Sequence, residues 1–310
     1  MDIFFELPNF SNQTVICLGN FDGVHRGHQK LITETVTHAK LLNLQSVALT
    51  FEPHPELVLC PKKPLKRILT NELKTEFIAK LGINTLIFLP FNKQIAEMTP
   101  EDFIAKVLVE RCKTAEIFTG FNYSFGKHAT GNINTLKKLS KKWGYAFHAI
   151  PPYTVNKHIV SSSLIRNYLA KGKVEEAKEL LGYWPTLRGK VVYGDQRGSR
   201  ALGFPTANLK IERNLLIPAN GVYVSTVHYE NKSFFGMTNI GSKPTVGKNL
   251  PKTIEVNIFD FNNNLYGKTL TIQLRKYLRQ EKKFSSLEKL RQQLHKDQIE
   301  AINYLHQTCY

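Results

Sequence analysis

Two short stretches carry side chains that can handle phosphate. In CLGNFDGVHRGHQKLI (17–32), His25 and His28 stand three residues apart among Gly19, Gly23 and Gly27, where an apolar run gives way to a helical pattern. A helix start exposes unpaired N–H groups and partial positive charge, so it attracts phosphate. Gly23 and Gly27 let the backbone approach a ligand, and paired imidazoles can donate hydrogen bonds to oxygens on which charge develops. Taken alone, the spacing equally fits a polar turn with solvated imidazoles. The second stretch, VSSSLIRNYL (160–169), sets Ser162 and Ser163 in the first turn of a helix, with Arg166 one turn on. Hydroxyls and a guanidinium so placed form a phosphate clamp. By itself the pattern also fits an N-cap followed by a solvated arginine.

A different chemistry is written in GDQRGSRALGFPTANL (194–209), a glycine-rich basic loop running into PTAN. Thr206 and Asn208 offer a hydroxyl and an amide oxygen, hard ligands suited to Mg²⁺, with Pro205 fixing the backbone before them. Without its context, PTAN is also a β-turn. Glu255 interrupts the apolar strand pattern TIEVNIFDF (253–261), where an unpaired carboxylate is costly. Such a residue is either paired structurally or catalytic. GFNYSFGKH (120–128) imitates a Walker A loop. It has five residues between its glycines, and His128 stands where Mg²⁺ needs Ser or Thr, so it is not a P-loop.

These residues need elements to position them. Apolar, β-branched runs at 13–19, 46–51, 85–90, 115–120 and 145–150 alternate with helical patterns such as 27–43 and the basic 136–144. Thr99, Pro100 and Asp102 mark one helix start. The alternation predicts a parallel sheet with helices on its faces, which takes ligands beyond the carboxyl ends of its strands. After EEAKELLGYWP (175–185) the pattern changes: Gly182 can close a helix and Pro185 prevents its resumption. Strand runs at 188–194, 221–230, 232–241, 253–261 and 270–278, joined by tight turns, predict an antiparallel barrel or sandwich. A last helix follows, with Ser285 and Glu288 spaced as a capping box before Leu287, Leu290 and Leu294. The domain boundary is expected near residue 183, dividing 1–182 from 183–310.

The 310 residues suit two domains, and a net charge of +17 favours polyanionic partners: nucleic acid, an acidic membrane or phosphorylated small molecules. The basic residues are spread along the chain. Cys17, Cys60, Cys112 and Cys309 form no CxxC pair, which points to a reducing, cytoplasmic setting. MDIFFELPNF has no secretory pattern, and no apolar run approaches the roughly 20 residues that span a bilayer.

With HxGH after the first strand and SSxIR late in the α/β half, the sequence resembles the nucleotidylyltransferase superfamily. GNFDGVHRGH, FEPHPELVL (51–59), RILT (67–70) and GFNYSFGKHATGN (120–132) are similar, in order, to the adenylyltransferase module of bacterial bifunctional riboflavin kinase/FAD synthetases. The second half resembles riboflavin kinases, through PTAN, TNIGSKPTVG (238–247) and the terminal LRQEKKFSSLEKLRQQLHKD (278–297). The resemblance implies a Rossmann-like α/β nucleotidylyltransferase domain followed by a Greek-key β-barrel with a terminal helix. It implies that His25, His28, Ser162, Ser163 and Arg166 hold ATP phosphates and the leaving pyrophosphate, with Gly19, Asn20, Phe21, Gly23 and Gly27 shaping the nucleotide loop. His54 and Asn122 would line the nucleotide and flavin cleft. In the kinase half, Gly194, Arg197, Gly198, Arg200 and Gly203 would cover ATP phosphates, Thr206 and Asn208 would bind Mg²⁺, Glu255 would be the general base, and Phe204 and Arg279 would touch flavin. RGSRALG is one residue longer than the RGRTLG of many bacterial relatives, a form similar to eukaryotic kinases.

The implied ligands are riboflavin, FMN, FAD, ATP and Mg²⁺, with no nucleic acid and no membrane; self-association is left open. Three other readings remain at this stage. One is a nucleic-acid binder, motivated by the charge. The others are a nucleotidylyltransferase for another acceptor with a degenerate barrel, and a regulatory flavin binder without turnover.

Overall fold

Strands covered by helices on both faces read as continuous apolar runs, and this is how the first half folds. The structure is a computed structural model that describes residues 1–62, 65–194, 203–242 and 252–308. It divides into two units, Met1–Arg67 with Asn71–Ser162, and Ile68–Thr70 with Ser163–Tyr310.

In the first unit, β1 (Asp2–Phe4) and β2 (Thr14–Leu18) precede α1 (Arg26–Leu41), β3 (Gln45–Glu52), the short α2 (Pro55–Leu59), α3 (Asn71–Ala79) and β4 (Thr85–Pro90). Next come α4 (Lys93–Ala96) and α5 (Pro100–Asp102), which runs on as a π-helix over Phe103–Arg111. After β5 (Thr114–Gly120), the chain forms the two-residue pair β6 (Ser124–Phe125) and β7 (Gly131–Asn132). It continues through α6 (Ile133–Trp143), β8 (Ala146–Ile150) and the small hairpin of β9 (Thr154–Val155) and β10 (His158–Ile159). The six-stranded sheet has the order β1-β4-β3-β2-β5-β8 and is parallel throughout. Its core joins Ile16, Leu18, Leu49 and Ile117 to Phe103, Ile104 and Leu108 of the π-helix. Thr99 caps α5 as expected, its hydroxyl accepting from the Asp102 N–H. β1 was not anticipated; three residues at a sheet edge carry too little periodicity to be recognised.

The second unit takes α7 (Ser162–Ala170) from Ser163 onward, and α8 (Val174–Leu181), which Gly182 closes in the left-handed conformation. There follow β11 (Thr186–Val192), β12 (Ala207–Lys210), β13 (Gly221–Tyr229), β14 (Lys232–Ser242), β15 (Lys252–Ile258), β16 (Thr269–Arg279) and the terminal helix α9 (Leu287–Thr308). The six strands close a barrel in the order β11-β12-β15-β14-β13-β16. Hairpins join β13, β14 and β15, and β16 returns to lie beside β13, which is the Greek-key connection. The turn that PTAN allows out of context does not form: its last two residues, Ala207 and Asn208, open β12. One expectation is corrected. The cap of α9 is Ser286 rather than Ser285, since Ser286 Oγ accepts from the Lys289 N–H at 3.2 Å.

Candidate active sites

β3 and β4 lie on one side of β2, and β5 and β8 on the other. The loop leaving β2 therefore starts where strand order reverses, the place where open α/β sheets take ligands. Within it Phe21 (φ 48°), Gly23 (φ 82°) and Val24 (φ 34°) adopt positive φ, and Val24 N–H bonds the Phe21 carbonyl at 3.1 Å. A β-branched residue in that region is strained, which concentrates at ligand-holding loops. The loop delivers His25 as the N-cap of α1, its Nδ1 accepting from the His28 N–H at 3.3 Å. His28 is thus the third residue of the helix. The two imidazoles stack at 3.6 Å and 13°, and Phe21 meets His28 edge-on at 5.5 Å. Gly27 lies tight against this stack: a Cβ there would lie 3.3 Å from His25 Cε1, so the ring would have to give by a few tenths of an ångström.

Burial, with His25 and Lys74 adding positive potential, pushes His28 well below the ordinary histidine range. The ring is neutral at neutral pH, and its buried Nδ1 has no hydrogen-bond partner. Such an orphaned polar atom calls for a ligand. Ser162 Oγ donates to the Asp22 carbonyl at 2.8 Å, fastening the start of α7 to the loop. Ser163 is exposed and Arg166 half-buried further along α7, in the second unit.

Charged residues that the sequence reading missed stand beneath the loop. Lys74 on α3 and Asp22 are each only 2 % exposed, and Arg67 is 4 % exposed. Lys74 Nζ donates to the Asn20 carbonyl at 3.1 Å, which also accepts from Thr50 Oγ1 at 3.1 Å. Burial lowers the Lys74 ammonium, partly opposed by the Asp22 and Glu52 carboxylates. Arg67 Nη1 lies 3.5 Å from Glu52 Oε2 and donates to Asn71 Oδ1 at 3.1 Å. The available signal was a lysine on the same buried helix face as Ile78, four residues on. His54 is buried and caps α2, accepting from Glu56 N–H at 3.2 Å, whereas Asn122 is exposed beyond the end of β5.

In the barrel, Ile254, Val256 and Ile258 are buried, so Glu255 and Asn257 take the opposite face of β15. Register sets Glu255 directly between Asn208 of β12 and Asn239 of β14. Thr206 directly precedes β12, two residues before Asn208. Asn257 Nδ2 donates to the Pro205 carbonyl at 2.8 Å, seating the segment that carries Thr206. Gly194 crosses Asn208 so closely that a Cβ would come within 2.2 Å of Asn208 Nδ2. The sequence reading did not single out Asn239, although TNIG was in view. Of the expected phosphate loop, Arg197, Gly198 and Arg200 lie outside the described residues, and Gly203 is exposed with φ 78°.

Against known proteins, residues 7–164 match the FAD synthetase family model and residues 181–305 the riboflavin kinase model. A bifunctional riboflavin kinase/FMN adenylyltransferase from Listeria monocytogenes is 37 % identical over 92 % of this chain and 90 % of its own length. The chain belongs to the bifunctional riboflavin kinase/FMN adenylyltransferase family.

Other members include proteins from Bacillus subtilis, 37 % identical over 94 % of this chain and 92 % of theirs, and Escherichia coli K12, 32 % over 93 % and 91 %. A crystal structure from Streptococcus pneumoniae, titled a macrolide-efflux protein, superposes with TM-score 0.89 at 32 % identity, covering 98 % of this chain and 99 % of that one. The efflux description stays with that protein. Two residues expected to touch flavin in this bifunctional enzyme are engaged structurally. Phe204 is buried with Val222, Met237 and Leu305, edge-on to His295 at 4.9 Å. Arg279 forks onto Asp297 of α9, Nε reaching both carboxylate oxygens at 2.9 Å and Nη2 reaching Oδ2 at 2.6 Å.

Proposed function

We propose that the two activities occupy separate sites in one chain, with 1–182 transferring adenylyl to FMN and 183–310 phosphorylating riboflavin. The observation that carries this reading is that each matched segment holds its own polar cluster: stacked His25 and His28 at a helix start, and Glu255 in register between Asn208 and Asn239.

In the barrel, the terminal hydroxyl of riboflavin must lose a proton as it attacks the γ-phosphorus of ATP, while the bond from that phosphorus to the bridging β-phosphate oxygen breaks and ADP leaves. Glu255 accepts that proton, since a carboxylate is a competent base and no other group on its row is. The donor set fits Mg²⁺: Thr206 Oγ1 and Asn208 Oδ1 are neutral hard oxygens beside a carboxylate. When bound there, the ion offsets charge on the ATP phosphates. Asn208 and Asn239 flank Glu255 and orient it, and Gly194 and Gly203 bound the phosphate loop.

FMN already carries a phosphate that is largely dianionic at neutral pH, so adenylyl transfer needs no protein base. An FMN phosphate oxygen bonds to the α-phosphorus of a second ATP, and the bond to the β-phosphate oxygen breaks, releasing pyrophosphate. The site must align the reactants and receive charge on the leaving group. The start of α1, His25 and His28 do this, with Gly19, Asn20, Phe21, Gly23 and Gly27 shaping the loop; Ser162, Ser163 and Arg166 assist from α7. His54 and Asn122 line the cleft. The reaction is placed in the cytoplasm, in keeping with the free thiols of Cys17, Cys60 and Cys112.

Incubation with riboflavin, ATP and Mg²⁺, followed by chromatography, is expected to show FMN rising first and FAD after it. FMN supplied directly should yield FAD and pyrophosphate. Unchanged riboflavin, or FAD appearing without FMN, overturns the reading.

A further inference from the structure

At the opposite end of α1 from the phosphate loop, α1 and two strands bring three metal-ligating side chains together. Glu116 and Phe118 share one face of β5, and His148 of β8 stands opposite Phe118 in register. His38, in the last turns of α1, lies over the same face, its ring 4.9 Å from that of Phe118. His38 Nδ1 is 2.9 Å from Glu116 Oε2, and His148 Nε2 is 3.1 Å from that same oxygen. Among the described residues these are three His or carboxylate donors whose ligating atoms all lie within 4.8 Å of one another. His38 is thirteen residues from His25, about 20 Å along the helix at 1.5 Å per residue, so the cluster is separate from the phosphate loop.

We infer that His38, Glu116 and His148 form a binding site for a divalent transition cation of the Zn²⁺ class. The donor set of two imidazoles and one carboxylate suits Zn²⁺ and its first-row neighbours rather than Mg²⁺ or Ca²⁺, which want oxygen alone. Ligands about 2.0–2.1 Å from a tetrahedral ion lie about 3.3–3.4 Å apart. The two N···O separations need to open by only a few tenths of an ångström to admit one. Hydrogen bonding accounts for only part of the cluster: His38 Nδ1 hydrogen-bonds Glu116 Oε2, but His148 Nε2 is buried and makes no hydrogen bond, although the same oxygen is 3.1 Å away. Phe118 stacks on His148 at 4.3 Å and 14°, fixing that ring before any ion arrives. The side chains of His38 and His148 keep 34 % exposure, leaving an entry path and a coordination position for water. A bound ion would tie the end of α1 to β5 and β8 and thereby steady the helix that carries His25 and His28 at its start.

The test uses the full chain, stripped with chelator and dialysed against Zn²⁺ without nucleotide, with metal content measured by mass spectrometry. One Zn²⁺ per chain is expected, and Co²⁺ in its place should give the visible absorption of a four-coordinate site. Zn²⁺ should raise the melting temperature of the wild type. His148→Gln and Glu116→Gln should each weaken binding by more than about tenfold, since loss of mere outer-shell partners already costs about 10–100-fold. They should also abolish the thermal shift. Circular dichroism of the metal-free variants checks folding; should His148→Gln fail to fold, the isosteric Glu116→Gln decides. Absence of stoichiometric uptake by the wild type overturns the site. So does binding that survives Glu116→Gln but vanishes in His25→Gln, which would place the ion at the phosphate loop.

Discussion

At the scale of single residues, His28 and Glu255 separate the two chemistries. His28→Ala removes a donor aimed at developing charge, so FAD formation from FMN should fall by about 10²–10³-fold while FMN formation is kept. Glu255→Gln removes the base and should lower FMN formation by about 10²–10⁴-fold, leaving FMN adenylylation intact. Steady-state assays of each half-reaction check both, and equal loss of the two activities in either variant contradicts separate sites. His28 also ties stability to pH. Its folded value lies below the ordinary 6.5, so on acidification the unfolded chain takes up the proton first. The contribution is complete above about pH 6.5 and is lost as pH falls toward the folded value. Urea midpoints of the first unit should therefore drop as pH falls below about 6.5, and less steeply in His28→Asn. The motif residues were legible because their types and spacing suffice to suggest phosphate. Lys74 was not: a helix wheel assigns it to a face, but the Asn20 carbonyl it meets is 54 residues away in sequence.

Elements explain why some expectations held and others moved. The central parallel strands were readable because burial on both faces leaves an unbroken apolar run. β12 was obscured because Pro205, Thr206 and Asn208 are turn formers by propensity, and only pairing with β11 and β15 makes the segment a strand. The same pairing exposes a close contact that sequence cannot show. Gly194→Ala would drive a methyl into Asn208, so FMN formation should fall while FAD formation from FMN continues; normal kinase activity in that variant would show that Asn208 need not hold its place. At the junction of β16 and α9, Asp297 is 4 % exposed and answered by Arg279, whose side chain is 13 % exposed. Arg279→Met leaves a buried carboxylate unpaired and should cost about 3–5 kcal/mol in the second unit. Denaturant titration measures that loss. An unchanged midpoint with a raised riboflavin KM would instead restore Arg279 as a flavin contact.

For the whole molecule, the question is what a second site on the same chain accomplishes. The substrates and products are phosphorylated or become so, and a net charge of +17 raises the local concentration of anionic nucleotides and FMN at either site. That role needs no nucleic acid, and a gel shift at moderate salt should show little binding to DNA or RNA. If the two clusters work independently, chemistry lost from one chain can be supplied by another through free FMN. His28→Ala makes FMN and stops, and Glu255→Gln makes none from riboflavin but can adenylylate FMN. Mixed together with riboflavin, ATP and Mg²⁺, they should form FAD that neither variant forms alone, after a lag that shortens as His28→Ala is increased. The lag arises because FMN must first accumulate in solution toward the KM of the adenylyltransferase site. FAD formed by the mixture with no lag would mean that FMN passes between chains without release. Failure of the mixture to form any FAD, with each half-reaction separately active, would mean that FMN made by His28→Ala is not released into solution and that the two clusters do not communicate through free FMN.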